Sequence, residues 1–251
     1  MIKFIGECII NLIEALKYTF DGRVRFKSVL SSAAQIGCDS MPMALTIVCI
    51  AAVVISLQVS KQFLLSGAEN YVGGFLAIAL IRELAPGFAA LAISARAGTA
   101  VSAEVANMKV TSQIDAIKVL KVNPVGYYFA PRILGAAITV PSIILLAELI
   151  GIIGGMVVSY LVIGLHPLRY IHSVWLWLSL KDLFISLLKG VIFGALIADI
   201  CATQGYSTEG GAKNVGISTT EAAIKATVLL LFTDFLPFFN RIIKMQITSF
   251  Y

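Results

Sequence analysis

The chemically most distinctive residues are two adjacent charges inside a long apolar stretch. Arg82 and Glu83 belong to the run Leu-Ile-Arg-Glu-Leu-Ala-Pro, which ends at Pro86. An ionisable side chain at membrane depth costs about 2.5–3.5 kcal/mol on insertion scales, so such residues usually face a partner or a polar cavity. The planar guanidinium of Arg82 also suits the phosphate of a lipid headgroup. The motif therefore predicts either a lipid-binding cavity or an ion pair between helices, and both interpretations stay open.

The geometry of a regular helix adds two expectations for this motif. Neighbouring residues of an α-helix point about 100° apart, so Arg82 and Glu83 are not expected to face one neighbouring helix. Pro86 has no N–H to donate to the carbonyl of Arg82, so we expect a kink at this point. The candidate ion-pair partners are Glu148 or Asp234 for Arg82, and Lys189 for Glu83.

The composition places these charges in a membrane protein. The chain has 251 residues, of which 59% are hydrophobic and 13% charged, and its mean hydropathy is +0.92. Soluble domains have about 45–50% apolar and about 25% charged residues. Intrinsic disorder and a soluble enzyme are thereby excluded, and the scattered basic residues do not support nucleic-acid binding. The sequence predicts an all-α polytopic membrane protein.

Five stretches are long and apolar enough to cross a bilayer, which takes about 20 residues in a helix. The predicted spans are Met41–Val59, Val72–Ala95, Ile133–Gly164, Leu183–Ala202 and Ala222–Phe239. The third is long enough to tilt or to break at Pro141, and the fifth is expected to end near Pro237. Residues 1–251 are treated as one domain, with an N-terminal region at 1–40 and the five-span region at 41–251.

The first 20 residues predict an amphipathic helix. Lys3, Glu7, Asn11 and Glu14 recur at helical spacing on one stripe, and isoleucines and leucines fill the other face. Such a helix lies in the membrane interface or packs on the spans of the protein itself. Basic residues that flank the spans, Arg23 among them, are concentrated on the side of the N-terminus. The N-terminus is therefore predicted to be cytoplasmic and the C-terminus to lie outside.

The predicted outer loop between spans three and four contains two histidines and two tryptophans. His166 and His172 are six residues apart, off a common helical face, and no third ligand is evident. This pattern does not favour a metal site. Trp175 and Trp177 instead favour a short helix anchored at the outer membrane interface.

The segment between spans two and three predicts a polar cytoplasmic helix. Residues 96–124 mix good helix formers with polar residues and end at Asn123-Pro124, a common helix terminator. A helix held between two spans can receive a partner protein, or it can simply connect the spans. The sequence pattern leaves both interpretations open.

Several separated motifs in this part of the chain resemble the MlaE/YrbE permease family. The residues that carry the resemblance are Leu80–Pro86, Arg96-Ala-Gly98, Ala103-Glu104, Met108, Gln113–Ala116, Pro124 and Pro131-Arg132, followed by Gly205-Tyr206, Gly211-Ala212, Val215-Gly216 and Thr219-Thr220. The family includes permeases of bacterial Mla and Mce lipid transporters and of the plastid lipid importer. The resemblance extends over about Phe20 to Phe239.

The resemblance implies the permease subunit of an ATP-binding cassette (ABC) transporter that moves phospholipids or related lipids between membranes. The implied partners are a second copy of the chain in a homodimer, a separate ABC ATPase and an Mce-domain substrate-binding protein. The implied location is the bacterial inner membrane or, alternatively, the plastid inner envelope. The chain is then no enzyme and needs no cofactor, and ATP and Mg²⁺ bind the partner ATPase. The sequence fits this, because it contains no Gly-x-x-x-x-Gly-Lys-Ser/Thr phosphate loop.

The resemblance also assigns roles to single residues. The lipid-binding candidates are Arg82, Glu83, Leu84 and Tyr71, and the candidates for coupling to the ATPase are Glu104, Met108, Gln113 and Asp115.

Two other classes of function remain as alternatives. A proton-coupled secondary transporter would use Glu83, Glu148 and Asp234, but such transporters often consist of two related halves, and no internal repeat is evident. A membrane-embedded lipid-modifying enzyme ranks behind it, because no set of nucleophile and base or of clustered metal ligands stands out.

Overall fold

The chain is almost entirely helical in a computed structural model that describes residues 2–22 and 24–248, with side chains for 3–22 and 24–235. About 90% of it is helix. The helices are α1 (Ile2–Phe20), α2 (Phe26–Leu65), α3 (Val72–Ala79), α4 (Ala85–Ile93), α5 (Thr99–Val110), α6 (Gln113–Val119), α7 (Ala130–Ile163), α8 (Pro167–Trp177), α9 (Leu180–Tyr206) and α10 (Ala212–Thr248). Arg23, which contributed to the predicted orientation, lies outside the described residues.

Five helical runs in the described part of the chain are long and apolar enough to cross a membrane. They are Phe26–Leu65, Glu69–Val110, Val125–Ile163, Leu180–Tyr206 and Ala212–Phe235. The five predicted spans and the separate N-terminal helix are thereby confirmed.

The helices extend further than the hydropathy of the sequence suggested. The second run continues through α5 to Val110, so the first half of the predicted loop 96–124 belongs to a spanning helix. The reason is local, since residues 99–110 contain neither Gly nor Pro to stop the helix. The third helix does not break at Pro141, and α10 does not end near Pro237. Pro141 is closely packed on the helix that carries Gly190, because a Cβ added to Gly190 would lie 2.8 Å from the Cα of Pro141.

The helices form two compact units, which are described one at a time. The first unit comprises Met1–Ala33, Ser94–Ala136 and Ala195–Tyr251. Its N-terminal helix α1 buries Cys8 and Ala15, and Asn11 donates a hydrogen bond of 3.0 Å to Thr203. Ile10 and Phe20 stay 64% and 88% exposed. Cys8, Asn11 and Ala15 of α1 thus contact the protein, while Lys3 and part of Glu7 on the polar stripe and several isoleucines stay exposed.

The second unit comprises Ala34–Ile93 and Ala137–Gly194. Its core joins α3 to the short helix α8 through six buried residues, namely Val72, Leu76, Ala77, Leu165, Tyr170 and Val174. Two glycines allow α8 to come this close, because a Cβ on Gly73 would lie 2.5 Å from the carbonyl oxygen of Tyr170 and one on Gly74 would lie 2.7 Å from Cγ of Trp177. The Gly74 N–H donates to Oγ of Ser173 over 2.9 Å, which fixes α8 on α3. The single domain over residues 1–251 stays a prediction.

Candidate functional site

The charged motif of the second span lies in a π-helical turn, Leu80–Leu84, between α3 and α4. The N–H of Ala85 donates to the carbonyl of Leu80, five residues earlier, instead of the usual four. Turns of this kind are rare inside α-helices and often occur at functional sites. A widened turn thus lies directly before Pro86, and the kink expected at the proline stays a prediction.

Arg82 forms an ion pair with the first turn of α9. Its Nε donates to Oδ1 of Asp182 over 2.8 Å, and the Asp182 side chain is only 4% exposed. The predicted partners, Glu148 or Asp234, were therefore wrong for Arg82. Asp182 was not predicted as a partner because it precedes the predicted start of span four by one residue. In the structure α9 already begins at Leu180. Glu148 instead accepts a hydrogen bond from Ser186.

Glu83 forms the ion pair that the sequence predicted. Nζ of Lys189 lies 2.9 Å from Oε2 of Glu83, and the Lys189 side chain is 10% exposed. The same ammonium donates to the backbone carbonyl of Arg82 over 2.8 Å. That carbonyl is the one that Pro86 leaves without an N–H. Lys189 therefore both neutralises Glu83 and satisfies the backbone of the widened turn.

Both charges of the motif face the same helix, which contradicts the expectation from a regular helix. Asp182 and Lys189 are seven residues apart, two turns along one face of α9. The expectation failed because the motif occupies a π-turn and because the arginine side chain is long enough to reach sideways. The side chains of Arg82 and Glu83 are still 36% and 40% exposed. The two ion pairs thus neutralise the charges of Arg82 and Glu83, while part of each of these two side chains stays exposed.

The four lipid-binding candidates fall into two places. Leu84 is half-buried on the same turn as Arg82 and Glu83. Tyr71 precedes Arg82 by eleven residues, about 16 Å along a helix at the usual rise per residue. Its ring lies 6.1 Å from that of Trp177, and its side chain is 51% exposed. The structure therefore brings three of the four candidates together and places Tyr71 elsewhere.

Tyr71 lines a separate pocket of about 480 Å³ in the second unit. The lining residues are Asn70, Tyr71, Leu168, Arg169, His172, Ser173 and Leu176. The sequence reasoning missed this site, although Arg169, His172 and Leu176 are spaced by three and four residues, as on one helical face. His166 is engaged elsewhere, because its Nδ1 accepts the N–H of Leu168 over 3.3 Å. Among the described residues no cluster of three metal-binding side chains occurs.

The four coupling candidates lie on two different helices of the first unit. Glu104 on α5 forms an ion pair with Arg132 at 2.7 Å, and Met108 is half-buried. Gln113 and Asp115 are exposed on α6. The predicted polar helix is therefore shorter than expected, since α6 ends at Val119 and not at Asn123-Pro124. The cause is the backbone, which is left-handed at Ser112 with φ 59° and at Lys121 with φ 57°.

Two lysines, one on α5 and one on α6, lie against Tyr206 at the end of α9. The Nζ atoms of Lys109 and Lys118 lie 5.8 Å and 5.4 Å from the ring centre of Tyr206. A hydrogen bond to Tyr206 also raises the pKa of Lys118. At the end of α6, Val119 and Leu120 are 82% and 73% exposed. This pair of exposed apolar residues is a feature that the sequence reasoning did not identify.

Five helices long and apolar enough to cross a membrane, with an ion-paired charged motif in the second of them, define an integral membrane protein. The family model described as Permease MlaE matches residues 29–238, and the chain belongs to this family. It is 34% identical over 218 residues to a probable ABC transporter permease protein of Synechocystis sp., covering 87% of this chain and 83% of the relative.

Two further relatives come from other groups of organisms. A probable ABC transporter permease protein of Rickettsia typhi is 34% identical over 201 residues, which are 80% of this chain and 78% of the relative. Protein TRIGALACTOSYLDIACYLGLYCEROL 1, chloroplastic, of Arabidopsis thaliana is 29% identical over 214 residues, which are 85% of this chain and 61% of the relative. The family resemblance is confirmed, and the chain is a transport subunit and not an enzyme.

Proposed function

We propose that this permease moves phospholipids or related lipids between membranes, as one subunit of an ATP-driven transporter. The observation that carries the proposal is the open polar side of the charged motif in the second span, where Arg82 and Glu83 remain 36% and 40% exposed. The name of the Arabidopsis relative includes that of a galactolipid, which agrees with a lipid substrate.

The lipid site is built around Arg82. Its guanidinium uses Nε for Asp182 and keeps further N–H donors, which suit a phosphate. Glu83 and Leu84 complete the turn, and Tyr71 contacts the lipid at the end of the same helical run. The ion pair to Asp182 holds the guanidinium in place when no lipid is bound, so that the charge never stands alone at membrane depth.

Coupling to the ATPase takes place at α6. This helix presents Gln113 and Asp115 together with the exposed apolar pair Val119 and Leu120. An apolar centre with polar neighbours is the usual composition of a protein interface. Met108 lies at the edge of this surface, and Glu104 acts indirectly, because it holds α5 through Arg132.

The complete transporter then contains two copies of this chain, an ABC ATPase that binds ATP and Mg²⁺, and an Mce-domain protein that exchanges lipid with it. We place it in the bacterial inner membrane, with the N-terminus in the cytoplasm. The outward-facing isoleucines of α1 support an interfacial position for that helix.

The test uses the transporter reconstituted in vesicles with its ATPase and a fluorescent phospholipid. Arg82→Ala should lower ATP-driven lipid transfer at least tenfold and leave co-purification of the ATPase unchanged. Arg96→Ala is the matched control, since this exposed arginine belongs to the same helical run but lies outside the proposed site. Unchanged transfer by Arg82→Ala would contradict the role of the motif.

The coupling surface is tested separately. Val119→Asp with Leu120→Asp should abolish co-purification of the ATPase, whereas Ala212→Asp, at another exposed position, should not. Lipid transfer by this chain alone, driven by a pH gradient without an ATPase, would instead establish a proton-coupled secondary transporter.

A further inference from the structure

The pocket beside Tyr71 combines cationic and hydrogen-bonding side chains. Arg169 supplies a guanidinium, and His172, Asn70 and the hydroxyl of Tyr71 supply further polar groups. Ser173 is 3% exposed, and its Oγ accepts the N–H of Gly74, so its own proton remains available to an acceptor. No carboxylate lines the pocket among the described residues. The pocket thus favours an anion with several oxygen atoms.

The rim of the pocket is apolar and exposed. Leu168 and Leu176, which line it, are 71% and 66% exposed, and the neighbouring Trp175 is 74% exposed. Tryptophan and tyrosine are enriched where a protein meets the polar boundary of a bilayer. A ligand in this pocket therefore has a polar, anionic part among the donors and an apolar part over the leucines.

The pocket lies beside the close contact of α8 with α3, where Gly73 and Gly74 leave no room for a side chain. Its wall includes Tyr71, which is in ring contact with Trp177 at 6.1 Å. The volume of about 480 Å³ lies in the range of about 300–1,000 Å³ that is usual for small-molecule sites. A phospholipid headgroup with its glycerol fits such a volume, whereas the acyl chains would remain outside.

We infer that this pocket is a second lipid site, which binds the anionic headgroup of a phospholipid through Arg169 and His172 while the acyl chains lie over Leu168 and Leu176. The inference deepens the proposed lipid transport, since it adds a site about 16 Å along the helix from Arg82, at the usual helical rise. A lipid at the end of the second span then has a defined position before or after it reaches the charged motif.

The two tryptophans of the chain allow a direct test, because both belong to α8 beside the pocket. The protein, without any ATPase, is reconstituted in nanodiscs of phosphatidylcholine. A small fraction of phosphatidylglycerol with brominated acyl chains is added, and quenching of tryptophan fluorescence is compared with that by brominated phosphatidylcholine at the same fraction. One well-placed cation predicts about a fivefold preference for the anionic lipid.

Arg169→Gln should remove this preference. Lys181→Gln is the matched control, since it removes an equally exposed positive charge four residues after α8 and outside the pocket. Equal quenching by both lipids, or a preference that persists in Arg169→Gln, would overturn the inference. Millimolar inorganic phosphate distinguishes the source of the anion: a preference that survives it supports a lipid, and one that disappears shows a site for free phosphate and overturns the lipid assignment.

The outcome is independent of the transport assay. If the unsubstituted protein shows no ATP-driven lipid transfer but keeps the anionic preference, the proposed function is refuted and this site stands. If lipid transfer depends on Arg82 but the tryptophans show no anionic preference, the proposed function is supported and this second site is refuted.

Discussion

Substitution of Lys189 by methionine is predicted to destabilise the second unit strongly. Methionine keeps the length of the side chain and removes the ammonium that binds both Glu83 and the carbonyl of Arg82. A hydrogen bond from a charged donor to a carbonyl is worth about 1.5–3 kcal/mol. The ion pair adds no more than about 1 kcal/mol, because the Glu83 side chain is 40% exposed. The expected loss in the free energy of unfolding is therefore about 1.5–4 kcal/mol.

The comparison with Glu83→Gln separates the two contributions. This variant leaves Lys189 on the carbonyl of Arg82, and the glutamine oxygen can still accept a hydrogen bond. It should cost about 1 kcal/mol or less. Lys181→Met, at an exposed position on the first turn of the same helix, should stay within about 0.5 kcal/mol of the parent.

The assay is reversible unfolding in mixed detergent micelles, followed by circular dichroism. Equal losses for Glu83→Gln and Lys189→Met would show that the ion pair carries the stability, and the argument from the proline-freed carbonyl would then be wrong. A loss below about 0.5 kcal/mol for Lys189→Met would refute both parts of the reasoning.

Three further predictions use the same unfolding assay. Gly74→Ala should cost about 1–3 kcal/mol, because its Cβ would lie 2.7 Å from a tryptophan ring carbon, whereas Gly216→Ala, with nothing within 4 Å, should be neutral or stabilising. Burial, followed by the nearby Asp199, raises the pKa of the Cys8 thiol from 9.0 to about 12. The contribution of this thiol to the free energy of unfolding is therefore complete below pH 9.0 and is lost as the pH rises toward about 12. In Cys8→Ala the free energy of unfolding should fall less steeply over this pH range. Reversal of Glu104 to lysine or of Arg132 to glutamate should each destabilise the first unit, and the double reversal should recover most of the loss, since the pair is 2.7 Å apart.

Hydropathy alone was sufficient to predict the spanning helices, because their length is imposed by the bilayer and each contains about 20 apolar residues. Their ends were less predictable. Polar residues without Gly or Pro continue a helix beyond the membrane, as in residues 99–110 of α5. The predicted fourth span began at Leu183, directly after Asp182. The prediction therefore left out the residue that pairs with Arg82.

The pairing of Glu83 with Lys189 was predictable, since two opposite charges in neighbouring apolar helices stabilise each other. The pairing of Arg82 needed a different pattern. Asp182 and Lys189 are seven residues apart on α9 and match the signs of Arg82 and Glu83, so the two helices carry complementary charges. The π-turn allows the adjacent residues Arg82 and Glu83 to pair with Asp182 and Lys189 on the same helix. Apart from Pro86, the sequence contains no simple pattern that predicts this turn.

The two interpretations of the charged motif, a lipid cavity and an ion pair, turn out not to exclude each other. A polar cavity and an ion pair both lower the cost of a charge at membrane depth, so this cost does not distinguish them. The ion pairs satisfy the cost in the free protein, and the exposed 36% of the Arg82 side chain leaves donors for an anion. In the proposed function, an anionic headgroup at Arg82 would compete with Asp182 for one guanidinium, so the lipid would gain only the difference between two similar interactions. A site of this kind would bind weakly enough to release its ligand, as transport requires.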